Sequence, residues 1–127
     1  LLWSSRFHVH HRVADTYRAG RVLLAWDAAH VHSPAGGQGM NTGIQDGVAL
    51  GRLLAKAVEG EDVLDEYEAK RRPIALGVVT FTDRMTKVAT LSSAPLRALR
   101  NAAVPLITRI PSVRRRMAYQ MSELANR

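Results

Sequence analysis

The sequence predicts a mainly α chain with a few short strands: a strand-loop-helix motif of α/β type, followed by a helical C-terminal segment. Three observations predict it. The apolar run Val22-Leu23-Leu24-Ala25-Trp26 has the length and character of a buried strand. The loop after it, from Ala28 to Gly39, holds Pro34 and the glycines Gly36, Gly37 and Gly39, and so resists regular structure. From Ile44 almost to the end, apolar residues recur three or four apart, as on helix faces. The chain divides accordingly into a strand and turn over residues 1–20, the strand-loop-helix motif over 21–60, and C-terminal helices over 61–127.

Taken in order, Arg6 to Arg12 alternate, with Phe7 and Val9 on one side and His8 and His10 on the other, as in a half-buried strand. Val13 to Ala19 reads as a short helical turn, closed by Gly20, whose access to positive φ suits a reversal. Arg21 to Trp26 is the buried strand. The first long helix is expected from about Met40 to Glu59, with Ile44, Val48, Gly51, Leu54 and Val58 on one face and Gly60 as its end. The second starts near Asp62 as cap, with Asp65 and Glu66 in its first turn, where negative charge suits the helix dipole. Its stripe is Leu64, Tyr67, Ile74, Val78, Phe81, Met85 and Val88, and Pro73 within it predicts a kink or break near Arg72. Beyond that, Pro105 and Pro111 interrupt a stripe from Leu96 to Leu124, which predicts two short helices with a bend near Arg109 to Pro111.

Composition narrows the function classes. The 127 residues suffice for one domain, and 46% hydrophobic with 23% charged residues is a globular balance. No cysteine is present, which removes disulfides and thiolate zinc sites and fits a cytoplasmic location. The amino terminus has neither a signal core nor an initiating Met, so the chain reads as a piece of a longer protein. No apolar run approaches the ~20 residues of a spanning helix. Six of the seven net positive charges fall after Pro95, where seven arginines face Glu123 alone. That basic end reads as a solvated helix face with arginine stems over apolar surface. The alternative is a non-catalytic helical module that binds acidic partners or membrane there. Nucleic acid is not expected, because Arg114-Arg115-Arg116 lacks interleaved aromatics.

Functional residue types are densest from Asp27 to Asp46. Asp27, at a strand's carboxyl end, either caps the next turn or accepts hydrogen bonds from a ligand diol. His30 and His32 form D-x-x-H-x-H with Asp27, but with no second carboxylate or cysteine nearby they read as hydrogen-bonded scaffolding and not as a metal site. Gly37-Gln38-Gly39-Met40-Asn41-Thr42-Gly43 is a poor match to GxGxxG: ten residues separate it from Trp26 and its last spacing is one too long. No nucleophile elbow supports hydrolase chemistry.

Arg21 to Asp46 as a whole closely resembles the second FAD-contacting motif of the FAD-dependent aromatic hydroxylases, the class A flavoprotein monooxygenases of polyketide and phenol hydroxylase type. Tyr67-Glu-Ala-Lys-Arg-Arg-Pro73 looks like that family's helix signature, Trp3 to Arg12 like the strand returning from its substrate domain, and Ile110 to Leu124 like its last helix before a carboxy-terminal extension. The resemblance implies a partial FAD/NAD(P)-binding domain. Asp27 would accept hydrogen bonds from the ribityl chain, and Pro34 would lie beside the reacting face of the flavin, where substrate approaches. Gly36, Gly37, Gln38, Gly39, Met40 and Asn41 would wrap the pyrimidine end, with backbone amides at a helix start favouring the negative charge of reduced flavin. NAD(P)H would be the reductant, and an aromatic small molecule and O2 the substrates. Halogenases and prenyl reductases of the same superfamily share a similar aspartate motif.

Two departures bear on this. The family has glycine where this chain has Trp26, and an indole there is expected to crowd the ribityl or pyrophosphate path unless it points into the core. Ala49 and Arg52 replace residues that are Asn and Trp in many relatives. The amino-terminal βαβ unit, the adenosine-binding acid and most of the substrate domain are not in these 127 residues. The isolated chain is therefore expected to be inactive and to bind FAD weakly, with self-association a further expectation for its exposed apolar surface.

Overall fold

The structure is a computed structural model, and it describes residues 3–5 and 8–122. Four helices dominate it: α1 (Gly39–Val58), α2 (Asp65–Ala89), α3 (Ala94–Thr108) and α4 (Pro111–Met121). Ahead of them lie four two-residue strands, β1 (Arg12–Val13), β2 (Arg18–Ala19), β3 (Val22–Leu23) and β4 (His30–Val31), with a 3-10 turn over Trp26–Ala28. The strands form two antiparallel pairs, Arg12 opposite Val31 and Arg18 opposite Leu23.

The strand expected at Arg6 to Arg12 rests partly on Arg6 and Phe7, which lie outside the described residues; His8 to His11 are irregular, and pairing begins only at Arg12. Val13 to Ala19 is not a helical turn. The Tyr17 carbonyl accepts the Leu24 amide at 2.8 Å, and Gly20, at φ +60°, turns β2 back into β3, so cross-strand bonds replace helical ones. The expected buried strand shrinks to Val22–Leu23, with Val22 63% exposed. The loop at Ala28 to Gly39, expected to be irregular throughout, contains β4.

The helices agree better. α1 is displaced by one residue from expectation and is followed by Gly60 at φ +100°. Its buried face, however, is Thr42, Gly43, Asp46 and Leu53, while Ile44, Val48, Leu54 and Val58 are exposed. Hydrogen-bonded polar groups, and not the apolar stripe, face the interior of this chain. α2 starts at Asp65 and not with an Asp62 cap, because backbone bonds from Glu66 to Val63 and Tyr67 to Leu64 form the entry turn. It runs unbroken through Pro73. Pro73 and Ala69 both face solvent, so the carbonyl that loses its helical partner stays open to water. Pro105 likewise lies within α3, and the bend falls at Arg109–Ile110, with Pro111 as the first residue of α4, where a missing N–H costs nothing. Leu124, the last residue of the expected stripe, lies outside the described residues.

α2 organises the rest. Near its start, Glu68 accepts the Tyr17 amide at 2.7 Å, Arg18 pairs with Asp65 at 2.7 Å, and Arg72 donates to the Ala14 carbonyl at 3.1 Å, which fastens the small strands. At its far end Arg100 of α3 donates to the Val88 and Ala89 carbonyls, a cation on the negative helix terminus. The apolar core is Tyr17, Ala29, Leu53, Tyr67 and Ala75, with the tyrosine rings 5.9 Å apart and tilted by 46°. Such a ring pair adds ~0.5–1.5 kcal/mol beyond its buried area.

Candidate functional site

β4, α1 and α2 come together around a buried ionic cluster. Asp46, fully buried on α1, accepts from Nε2 of His30 at 2.6 Å and from Nε of Arg71 at 2.6 Å. Arg71 also donates to the Thr42 carbonyl at 3.3 Å and to Gln45 Oε1 at 3.5 Å. Burial pushes the Asp46 carboxyl up, but the hydrogen bonds from His30 and Arg71 and the Arg71 charge outweigh it and hold the group below its usual range. The cluster thus joins β4, α1 and α2 at one point. Close by, burial first and the Asp46 charge second push the Tyr17 hydroxyl up to about 12, and the Tyr67 hydroxyl is raised for the same reasons.

The loop is held from behind by the later helices. The Ser33 and Thr86 hydroxyls share a hydrogen bond at 2.7 Å, and the Ala35 amide donates to Ser33 Oγ at 3.2 Å. The Gly37 amide donates to the Pro34 carbonyl at 3.0 Å with Gly36 at φ +88°, the signature of a type II turn that requires glycine in its third place. Gly37 is left-handed too, at φ +64°. Gln38, expected at the ligand, is buried, and its side-chain amide reaches the Met121 carbonyl of α4 at 3.2 Å and that of Gln120 at 3.4 Å.

Pro34, Gly37, Met40 and Asn41 are exposed, as is Asp27 on its turn. The first helical bond of α1 is from Thr42 to Gln38, so the amides of Gly39, Met40 and Asn41 have no partner within the helix. No side chain caps this end and no acidic residue stands in its first turn, which leaves the positive end of the dipole available to an electron-rich group. His32, bonded to the Ser33 carbonyl at 2.9 Å, lies against Gly39 and stacks on His30 at 6.1 Å. These are the partners of the two histidines in D-x-x-H-x-H.

Trp26 does not point into the core. Its residue is 44% exposed, and its indole lies flat against Gly43 of α1, where an added Cβ would stand only 2.4 Å from the ring. Its φ is +58°, a left-handed conformation that costs an L residue ~1–2 kcal/mol. The glycine expected at this position has a conformational reason as well as a spatial one.

Sequence reading missed Asp46 and Arg71 as partners and missed the anchoring of Gln38. The available signal was charge in helical register with buried positions, Thr42 with Asp46 and Tyr67 with Arg71. A cavity of about 400 Å³ between α2 and α4, reached by Gln38 and Gln120, and an apolar groove of about 820 Å³ between α2 and α3 both lie away from the Asp27 turn.

Residues 1–82 match the family profile described as FAD binding domain, and the chain belongs to that family, whose cofactor is FAD. Over 125 residues it is 44% identical to an uncharacterized aromatic compound monooxygenase of Bacillus subtilis, covering 96% of this chain and 25% of that protein. It is equally 44% identical over 125 residues to the anhydrotetracycline monooxygenase of Streptomyces rimosus, covering 96% of this chain and 24% of the relative. The solved p-nitrophenol 4-monooxygenase of Pseudomonas putida superposes with a TM-score of 0.80 at 33% identity, over 93% of this chain and 32% of its own. The chain therefore spans about a quarter of the length of the curated relatives it matches. Apart from Trp26, whose indole does not point into the core as an uncrowded polyol path requires, the residues present fit FAD. The left-handed Gly36–Gly37 turn leaves the backbone uncovered, the amides at the start of α1 could hold the pyrimidine edge of the ring, and Asp27 could accept from the polyol.

Proposed function

We propose that this chain is the flavin ring-side segment of an FAD-dependent monooxygenase that hydroxylates an aromatic small molecule using NAD(P)H and O2, and that the segment alone is inactive. The observation that carries the reading is the uncapped start of α1, with no acidic residue in its first turn, directly after a double left-handed glycine turn. The likeness to named aromatic monooxygenases over nearly the whole chain supports it.

Bound FAD would supply the redox chemistry, accepting electrons from the nicotinamide and activating O2. The chain's own residues do the rest by position. Asp27 takes hydrogen bonds from polyol hydroxyls, and the amides of Gly39, Met40 and Asn41 stabilise negative charge on the pyrimidine edge. Gly36 and Gly37 let the backbone approach closely. Pro34 offers a rigid apolar face without an N–H that would donate a hydrogen bond. Gln38 acts behind the loop through α4, and the Asp46 cluster keeps the Asp27 turn and α1 in one geometry.

The test is NAD(P)H oxidation by the intact natural gene product, with and without a panel of phenols, with products analysed after incubation under isotopically labelled O2. Phenol-stimulated oxidation with one labelled oxygen in the ring product is expected. A flavin-containing protein whose products carry no label from O2 would contradict the hydroxylase reading.

A further inference from the structure

The least expected feature near the cradle is Trp26, a bulky residue in a left-handed conformation immediately before Asp27. Such a conformation persists where the surroundings over-determine it. Here they do. The indole occupies the place that a side chain at position 43 would need, with three ring atoms 2.4, 2.7 and 2.9 Å from the Cβ site of Gly43. The Trp26 carbonyl accepts the Ala29 amide at 2.8 Å, closing the turn, and the next residue, His30, is bonded to Asp46 at 2.6 Å. Gly43 and Asp46 stand three apart, on one buried face of α1. The turn that carries Asp27 is therefore pinned to that face at both ends.

We infer that Trp26 and Gly43 interlock to set the Asp27 turn on α1, which makes Trp26 a positioning residue for the flavin-binding carboxylate. This rests on the proposed FAD site for its functional consequence, while the interlock itself is independent of it. The indole substitutes for the tight backbone that glycine would give at position 26. It does so only because position 43 has no side chain. The two positions should then be coupled, so that a methyl at 43 is damaging beside the native indole and harmless once that indole is removed.

The experiment is a double-mutant cycle in the intact gene product: wild type, Gly43→Ala, Trp26→Gly and both together. FAD affinity is read from released flavin fluorescence, and amide exchange of residues 27–31 by mass spectrometry. Gly43→Ala is expected to weaken FAD binding and speed exchange in the turn by roughly tenfold or more in the wild-type background, and by less than about threefold in the Trp26→Gly background. Equal effects in the two backgrounds, or none in either, would overturn the inference. Should Gly43→Ala fail to fold, recovery of the fold on adding Trp26→Gly supports the interlock, and no recovery refutes it. If the wild-type protein holds no FAD, the exchange arm still decides the interlock, and the proposed function alone falls.

Discussion

Both oxygens of Asp46 are used, by His30 and by Arg71 at 2.6 Å each, in a fully buried place. Replacing it by Asn would remove the carboxylate charge that His30 and Arg71 share in this buried place, a change that costs ~3–5 kcal/mol. The urea midpoint of Asp46→Asn should fall accordingly, and an unchanged midpoint would show that the Asp46 charge is not what holds the cluster together. The pH dependence has a definite sign. The folded carboxyl lies below its unfolded value of ~3.9, so its contribution is present above that value and is lost as pH falls through the lower folded one. Asp46→Asn should flatten the acid limb of the stability curve. Tyr17 acts at the other end: with its hydroxyl raised to about 12, its contribution is full below ~10 and is lost as pH rises toward the folded value. Ultraviolet titration should find this tyrosine ionising only near or after alkaline unfolding, and Tyr17→Phe should remove that loss. Little of this was legible in the sequence. His30 read correctly as hydrogen-bonded scaffolding, but its partner is 16 residues away, and the Arg71–Asp46 pair spans 25. Spacing rules reach only neighbours on one element.

Among elements, the period of α1 predicts its bounds to within a residue and the prolines predict the bend at Arg109–Ile110, whereas α2 starts three residues after the expected Asp62 cap and has no break near Arg72. Their faces were harder. α1 turns Thr42, Gly43 and Asp46 inward, so the apolar stripe through Ile44 and Val48 describes an open surface and not this chain's core. The small strands were misread because two-residue pairings leave almost no alternation to detect. The loop at Pro34 shows how later elements support it. Thr86→Val, which removes the hydroxyl bonded to Ser33 at 2.7 Å, should cost ~1 kcal/mol and speed amide exchange at residues 33–37. Exchange unchanged there would mean that the loop is held by its glycine turn alone. α2 is also expected to gain from Pro73→Ala, since an interior helical proline lacks one bond and costs up to ~3 kcal/mol. A higher thermal midpoint is the expected result, and a lower one would show that the ring itself makes packing contacts worth more than the missing bond.

At the scale of the whole molecule, the chain spans about a quarter of the length of the curated relatives it matches, and much of its described surface is apolar. No described residue of α3 or α4 is buried, and Leu99, Leu106 and Tyr119 are among many large side chains left open. None of the described helices is long and apolar enough to cross a membrane. A wall this open fits the proposed cradle, which supplies only one side of a cofactor. The isolated chain should therefore bind FAD far more weakly than the intact gene product, with binding costs that one wall cannot offset. The most direct test of the cradle is the flavin content of the purified intact gene product beside its Asp27→Ala variant, read as the visible absorbance at matched protein concentration. Stoichiometric FAD in the wild type and a loss of affinity of about tenfold or more in the variant is the expected result, the size of a lost charge-assisted hydrogen bond. Equal flavin retention by both proteins, or none in the wild type, would contradict the assignment of Asp27 and the start of α1 as the flavin ring-side site.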